Sequence, residues 1–218
     1  MMMLCGQSNA LWHYAAGAYD KKVGVLLGPS HWRKTPFKDW MPFVLDNDAF
    51  VAWDKGERWS VEAWREMIEQ IRLMHKTPLW ALVPDVVADR EKTLSNWGKY
   101  SPEIFATGWT SAFAVQDGMT AKDVPSDAGV VFVGGTDKFK WQTAKMWVDN
   151  FPRVHVGRVN NIDKVWYCDD IGVESVDGTG WFRDPSRADK LPALHKWMAG
   201  ERCDFQQEMD YTQKGDDA

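Results

Sequence analysis

At 218 residues the chain has the length of one domain, and 44% apolar with 26% charged residues is the balance of a folded globular protein, not of a disordered one. No apolar stretch approaches the roughly 18 residues of a membrane span, and the opening MMMLCGQSNALWHY lacks the basic start and apolar core of a secretion signal. A net charge of −5 disfavours a broad phosphate-binding surface, which relies on Lys and Arg, so any nucleic-acid contact must be local.

Three cysteines, Cys5, Cys168 and Cys203, are odd in number and far apart. That argues for a reducing compartment, the cytoplasm, and against a disulfide framework. Local basic charge is found between Lys21 and Lys38, where Lys21, Lys22, Arg33, Lys34 and Lys38 cluster, while Asp204 to Asp217 carries much of the negative excess. Fourteen tryptophans supply packing faces and, in excess of that, flat surfaces on which bases can stack.

In chain order, the first 20 or so residues read as an N-terminal extension. Short apolar runs follow at Val23–Leu27, Phe43–Leu45, Leu79–Val83, Ala112–Val115, Val130–Val133, Val154–Val156 and Val173–Val176. They are almost continuously apolar, as strands of a parallel sheet covered on both faces are. Helical patterns fall between them. Ser60 caps one that runs to about His75 with Val61, Trp64, Ile68 and Ile71 at helical spacing. Thr136 opens another to about Val148, Asn161 a third to about Ile171, and Pro185 to Met198 forms a fourth that Pro192 would break or kink. An acidic tail, about 204–218, closes the chain. Strand alternating with helix predicts an α/β fold, a trimmed (β/α)8 barrel of a single domain, with the eighth strand short or supplied by the N-terminal segment. An open doubly wound sheet is the alternative, weakened by the lack of a glycine-rich dinucleotide fingerprint.

The strand ends carry the chemistry. Leu45 leads into Asp46, Val83 into Pro84-Asp85, Val115 into Gln116, Val133 into Gly134-Gly135, Val156 into Gly157-Arg158 and Val176 into Asp177. Asp and Gly also end strands in any α/β protein. In a parallel barrel, however, all strand C-termini share one mouth, where active sites sit. Three carboxylates and an amide around one pocket suit a ligand with both donors and acceptors, such as a purine. Two carboxylates about 5 Å apart also suit glycosidic chemistry, one attacking the anomeric carbon and the other handling protons.

The strings LDNDAF at 45–50, VPDVVADREKTLSNW at 83–97, FAVQDGMT at 113–120, VFVGGTDKFKW at 131–141, HVGRVN at 155–160 and ESVDGTG at 174–180 resemble the tRNA-guanine transglycosylase superfamily. They look most like its short phage-type members, which are linked to placing 7-deazaguanines in DNA, and the resemblance runs from about Val23 to Arg183. It implies that Asp177 is the nucleophile and Asp46 its carboxylate partner. It also implies that Asp85 reads the guanine edge, that Gln116 contacts the base carbonyl, and that Gly134 and Gly135 let backbone amides approach the base. Two departures matter. Asp48 stands where the family segment usually has glycine. The Cys-x-Cys-x2-Cys…His zinc site of the tRNA-acting members has no counterpart, since only His195 and Cys203 follow Asp177. No zinc or other cofactor is therefore expected, and the expected substrate moves from tRNA towards DNA.

The remaining conspicuous residues read as structural. The five histidines show no metal spacing, and His155 is expected to pack within its strand. Trp64, Trp97, Trp141, Trp147, Trp166 and Trp197 lie on helices, while Trp181 is a candidate for base or sugar contact. Arg158 would meet a phosphate or sugar, or form an ion pair at the mouth, and Lys138 and Lys140 would form a solvated helix face. The expected function is exchange of guanine in DNA, alternatively in tRNA, for a free 7-deazaguanine base such as preQ0 or preQ1, by a homodimer or with a helper subunit. The rivals are a non-catalytic base-binding subunit and a barrel hydrolase with Asp46, Asp85 and Asp177 as metal ligands.

Overall fold

The computed structural model describes residues 1–6, 17–19, 22–34, 40–178, 180–182 and 190–202. Eight parallel strands close into a barrel in simple chain order: β1 Met2–Cys5, β2 Val23–Leu27, β3 Phe43–Leu45, β4 Ala81–Leu82, β5 Ser111–Val115, β6 Val130–Val133, β7 Val154–Val156 and β8 Ser175–Asp177. The predicted (β/α)8 architecture is the observed one. The eighth strand comes from within the segment read as an extension. β1 pairs with β2 through Met3 opposite Val23, and with β8 through Leu4 opposite Asp177. A four-residue run is too short to show strand periodicity, so only its two ladders identify it as a stave.

β4 is shorter than the apolar run that announced it. The ladder nonetheless extends beyond its two regular residues, since Leu79 N donates to Phe43 O at 2.8 Å and Val83 N to Ala112 O at 3.0 Å. Among the described residues, six α-helices cover the barrel: α1 Ala49–Asp54, α2 Val61–Leu73, α3 Arg90–Phe105, α4 Asp137–Asn150, α5 Ile162–Asp170 and α6 Lys190–Ala199. The caps read from sequence hold: Ser60 accepts from Ala63 N at 3.1 Å, Thr136 from Phe139 N at 3.3 Å and Asn161 from Asp163 N at 2.8 Å. α1 and α3 go beyond the sequence reading. α3 starts at an Asp89 cap and runs through Pro102. Pro192 does not break α6, which runs through it from Lys190 to Ala199. Residues 185–189, Cys203 and the acidic tail lie outside the described residues.

Two apolar layers hold the barrel. Leu4, Leu26, Val44, Trp80, Leu82 and Ala114 fill its interior, with Phe132 packed against them. Val25, Leu27, Trp64, Ile71, Val133, Trp147 and Trp197 form the outer layer between staves and helices. Cys5 and Cys168 are buried. No helix among the described residues is long and apolar enough to cross a membrane.

Because Leu4 is fully buried inside the barrel on β1, Leu4→Ala is expected to destabilise the protein by about 2–5 kcal/mol in urea unfolding, the cost of a large-to-small change in a packed core. A loss below about 1 kcal/mol would mean that β1 is not an integral stave.

Candidate active site

Side chains alternate inward and outward along each stave, and the inward series ends in polar groups at one mouth. Asp46 lies two residues past Val44, Gln116 two past Ala114, Gly134 two past Phe132, and Asp177 two past Ser175. They open into a cavity of about 1110 Å³ lined by Asp46, Asp85, Gln116, Gly134, Gly135, Arg158 and Asp177. All seven residues predicted from sequence therefore meet around one space.

Asp177 ends β8 and is buried. Its Oδ1 accepts from Arg158 N at 3.1 Å, and its Oδ2 lies 3.0 Å from His155 Nε2. Arg158 adopts the left-handed region, φ 59°, in the turn that presents this amide. Gly157 keeps the approach open, because a Cβ there would stand 2.8 Å from the Phe132 ring and 3.3 Å from Asp177 Oδ2. The Arg158 guanidinium donates to Gly135 O and lies 4.0 Å from the centre of the Phe50 ring. It thus ties the β6 loop to α1 through a carbonyl and an aromatic face, not through an ion pair.

Asp46 is half-buried and accepts from Asn47 N at 2.8 Å. Burial, then the negative charges of Asp48 and Asp177, push its carboxyl well above the usual carboxylate range, with the Asn47 amide opposing them. Asp48 adopts φ 58°, the left-handed conformation in which glycine is unstrained and aspartate is tolerated. Its carboxylate turns to the β2 loop, accepts from Ser30 N at 2.7 Å and fills a notch over Gly28, where a Cβ would lie 2.2 Å from Oδ1.

On the opposite wall, Asp85 accepts from Asn47 Nδ2 at 2.8 Å and from Gln116 Nε2 at 2.7 Å. Burial raises the Asp85 carboxyl, and these two amides hold it down in part. Gln116 Oε1 accepts from Ala88 N at 2.9 Å, which leaves its remaining amide hydrogen as the group free to face a ligand. The glycine pair serves the wall itself. Gly134 N donates to Val115 O at 3.1 Å, and a Cβ at Gly134 would stand 3.1 Å from Gln116 Nε2. Gly135, at φ 67°, has Asp117 Oδ2 where a Cβ would be. The Gly134 amide is therefore committed to the barrel and not available to a base.

Three sequence readings change. Trp181 is buried, donates to Val159 O at 2.8 Å and packs on Gly178, so it locks the end of β8 and offers no stacking face. Lys140 is not on a solvated face. Its side chain is wholly buried with the ammonium 3.1 Å from Asp137, and burial lowers its pKa; Lys138 is exposed as expected. His155 is packed, as expected, yet it also touches Asp177. The inward position of His155, two residues before Gly157, is the signal that points to it. Asn47, buried between Asp85 and the backbone, carries no comparable signal. Among the described residues, no group of three or more His, Cys, Asp or Glu side chains is arranged to hold a metal ion.

No protein-family model and no curated protein matches the chain. Solved structures do match it. A cube-shaped, highly porous protein cage designed by fusing symmetric oligomeric domains matches with a TM-score of 0.52 at 15% identity, over 98% of this chain and 76% of that one. A structure of native KDPGal matches with a TM-score of 0.52 at 11% identity, over 89% and 94% of the two chains. At such identities the likeness is one of fold.

A carboxyl whose pKa is raised on folding favours the native state when protonated, and that contribution is lost as pH rises through the folded value. Asp46→Asn removes the charge while keeping an acceptor for the Asn47 amide. It is expected to raise the thermal midpoint at pH 8, with the gain vanishing as pH falls towards the ordinary carboxylate value of 3.8. A destabilised or pH-independent variant would contradict the placement of Asp46.

Proposed function

We propose that this barrel is an enzyme, a transglycosylase that replaces guanine in DNA with a 7-deazaguanine through a glycosyl ester on Asp177. The observation that carries this reading is the unequal treatment of two carboxylates at one cavity. Asp177 is held by two hydrogen-bond donors, whereas Asp46 has one amide and a pKa raised by burial and by its acidic neighbours. Such a pair provides a nucleophile and a proton carrier from one residue type.

In the first half-reaction an Asp177 oxygen attacks C1′, the C1′–N9 bond breaks, and Asp46 gives its proton to the departing guanine. In the second, the Asp46 carboxylate takes the N9 proton of the incoming 7-deazaguanine. N9 then attacks C1′, and Asp177 leaves as a carboxylate. A cavity of about 1110 Å³ has room for a base and its sugar. The target nucleotide must be flipped out of the stack to reach it. Asp85 and the free Gln116 amide hydrogen would meet the base edge and reject bases that leave them unpaired. Trp53, exposed beside Phe50 at the rim, offers a face on which unpaired bases can stack.

The test is incubation with DNA and labelled guanine, 7-cyano- or 7-aminomethyl-7-deazaguanine, with label in the polymer as the readout. Exchange is expected in the wild type. Asp177→Ala should lower it about 10³-fold or more, and Asp46→Asn about 10²-fold. No exchange with any base across salt concentrations would overturn the proposal, and preference for tRNA in direct competition would replace DNA as the substrate.

A further inference from the structure

We infer that His155 is a positioning residue for Asp177, locking the carboxylate through a one-way hydrogen-bond chain that starts at Ser175; the meaning of that lock for catalysis rests on the function proposed above. His155 is fully buried inside the barrel, between the Phe132 ring at 4.7 Å and the Trp80 ring at 4.9 Å. It stands opposite Ser175 in the β7–β8 ladder, with Nδ1 2.9 Å from Ser175 Oγ and Nε2 3.0 Å from Asp177 Oδ2. Both ring nitrogens are engaged by consecutive inward-facing residues of β8.

The direction of the chain follows from what each group can do. An ionised carboxylate only accepts, so Nε2 carries the hydrogen and donates to Oδ2. With Nε2 protonated, the lone pair of a neutral ring is at Nδ1, and Ser175 donates its hydroxyl hydrogen there. The chain delivers a hydrogen bond to Asp177 and moves no proton.

The consequence is orientation. Oδ2 is pinned by His155 from the barrel floor and Oδ1 by the Arg158 amide from the β7 loop, so the carboxylate cannot rotate about its last bond. Its remaining lone pairs keep a constant direction, and attack on a carbon depends on such alignment, with a displacement of about 1 Å costing about 10²-fold. The flat ring suits this task, because it fits between two aromatic side chains. An apolar replacement would leave Ser175 and Asp177 with one partner fewer in a buried place.

The test uses the whole protein and two independent readouts. Long-range ¹H–¹⁵N NMR of histidine-labelled protein should show His155 with a protonated Nε2 and an unprotonated Nδ1, and the Nε2 signal should shift in Asp177→Ala. The opposite tautomer would overturn the inference whether or not the protein exchanges bases. In the exchange assay, His155→Phe should lower kcat about 10²-fold with KM for the free base within about twofold. His155→Gln, which can present an amide hydrogen in the same direction, should recover about tenfold of that loss. Ser175→Ala keeps the ring and loosens it, so a smaller fall in kcat is expected even if His155→Phe does not fold. An unchanged kcat in these variants, or equal losses in His155→Phe and His155→Gln, would overturn the inference while leaving the proposed function standing. Absence of exchange in the wild type would remove that function and leave the NMR result to judge the hydrogen-bond chain.

Discussion

Among the aspartates that line one partly buried cavity, Asp48, Asp85 and Asp177 all act on the charge of Asp46, and the local structure of the mouth is organised around keeping these four carboxylates compatible. Each has a different solution. Asp177 takes a backbone amide and an imidazole, Asp85 two side-chain amides, and Asp48 the Ser30 amide at the edge of the β2 loop. Asp46 has only the Asn47 amide and faces the negative charges of the others, so burial and those charges push its carboxyl well above the usual carboxylate range. The chemical asymmetry of the site is thus a collective property. Removing any one of these donors would redistribute it.

Delivery of the carboxylates depends on backbone features of two kinds. The two-residue alternation of parallel staves brings Asp46, Gln116, Gly134 and Asp177 to one mouth of the barrel without any special conformation. Departures from it do the fine aiming. Asp48 and Arg158 both sit in the left-handed region, at φ 58° and 59°, and each directs a polar group across to a neighbouring loop. Strain at such positions persists only where surrounding contacts over-determine it. Here the Gly28 notch and the Gly135 carbonyl supply those contacts.

Much of this was legible in the sequence. Val130–Val133 and Val154–Val156 are readable because buried parallel strands are continuous β-branched runs bounded by turn residues, and Asp177 is readable because it follows such a run directly. The caps Ser60, Thr136 and Asn161 announce their helices by type and spacing. What escaped has a physical reason in each case. β1 is identified only by its partners, α1 is too short for periodicity, and Pro102 interrupts the pattern of α3. Lys140 reads as solvated because lysine usually is, and only the packing of α4 against the barrel shows otherwise. Asn47 and the commitment of the Gly134 amide are three-dimensional facts with no local signature. Trp181 follows Asp177 by four residues in sequence yet packs on Gly178, away from the cavity.

The seam between β1 and β8 has a bearing on how the molecule comes into being. The first strand made waits for the last, separated by nearly the whole barrel, and such long-range pairing is closed late and at high entropic cost. Leu4 lies opposite Asp177 across that seam. An unclosed barrel therefore lacks not a peripheral stave but the register of Asp177, the residue on which the proposed chemistry depends.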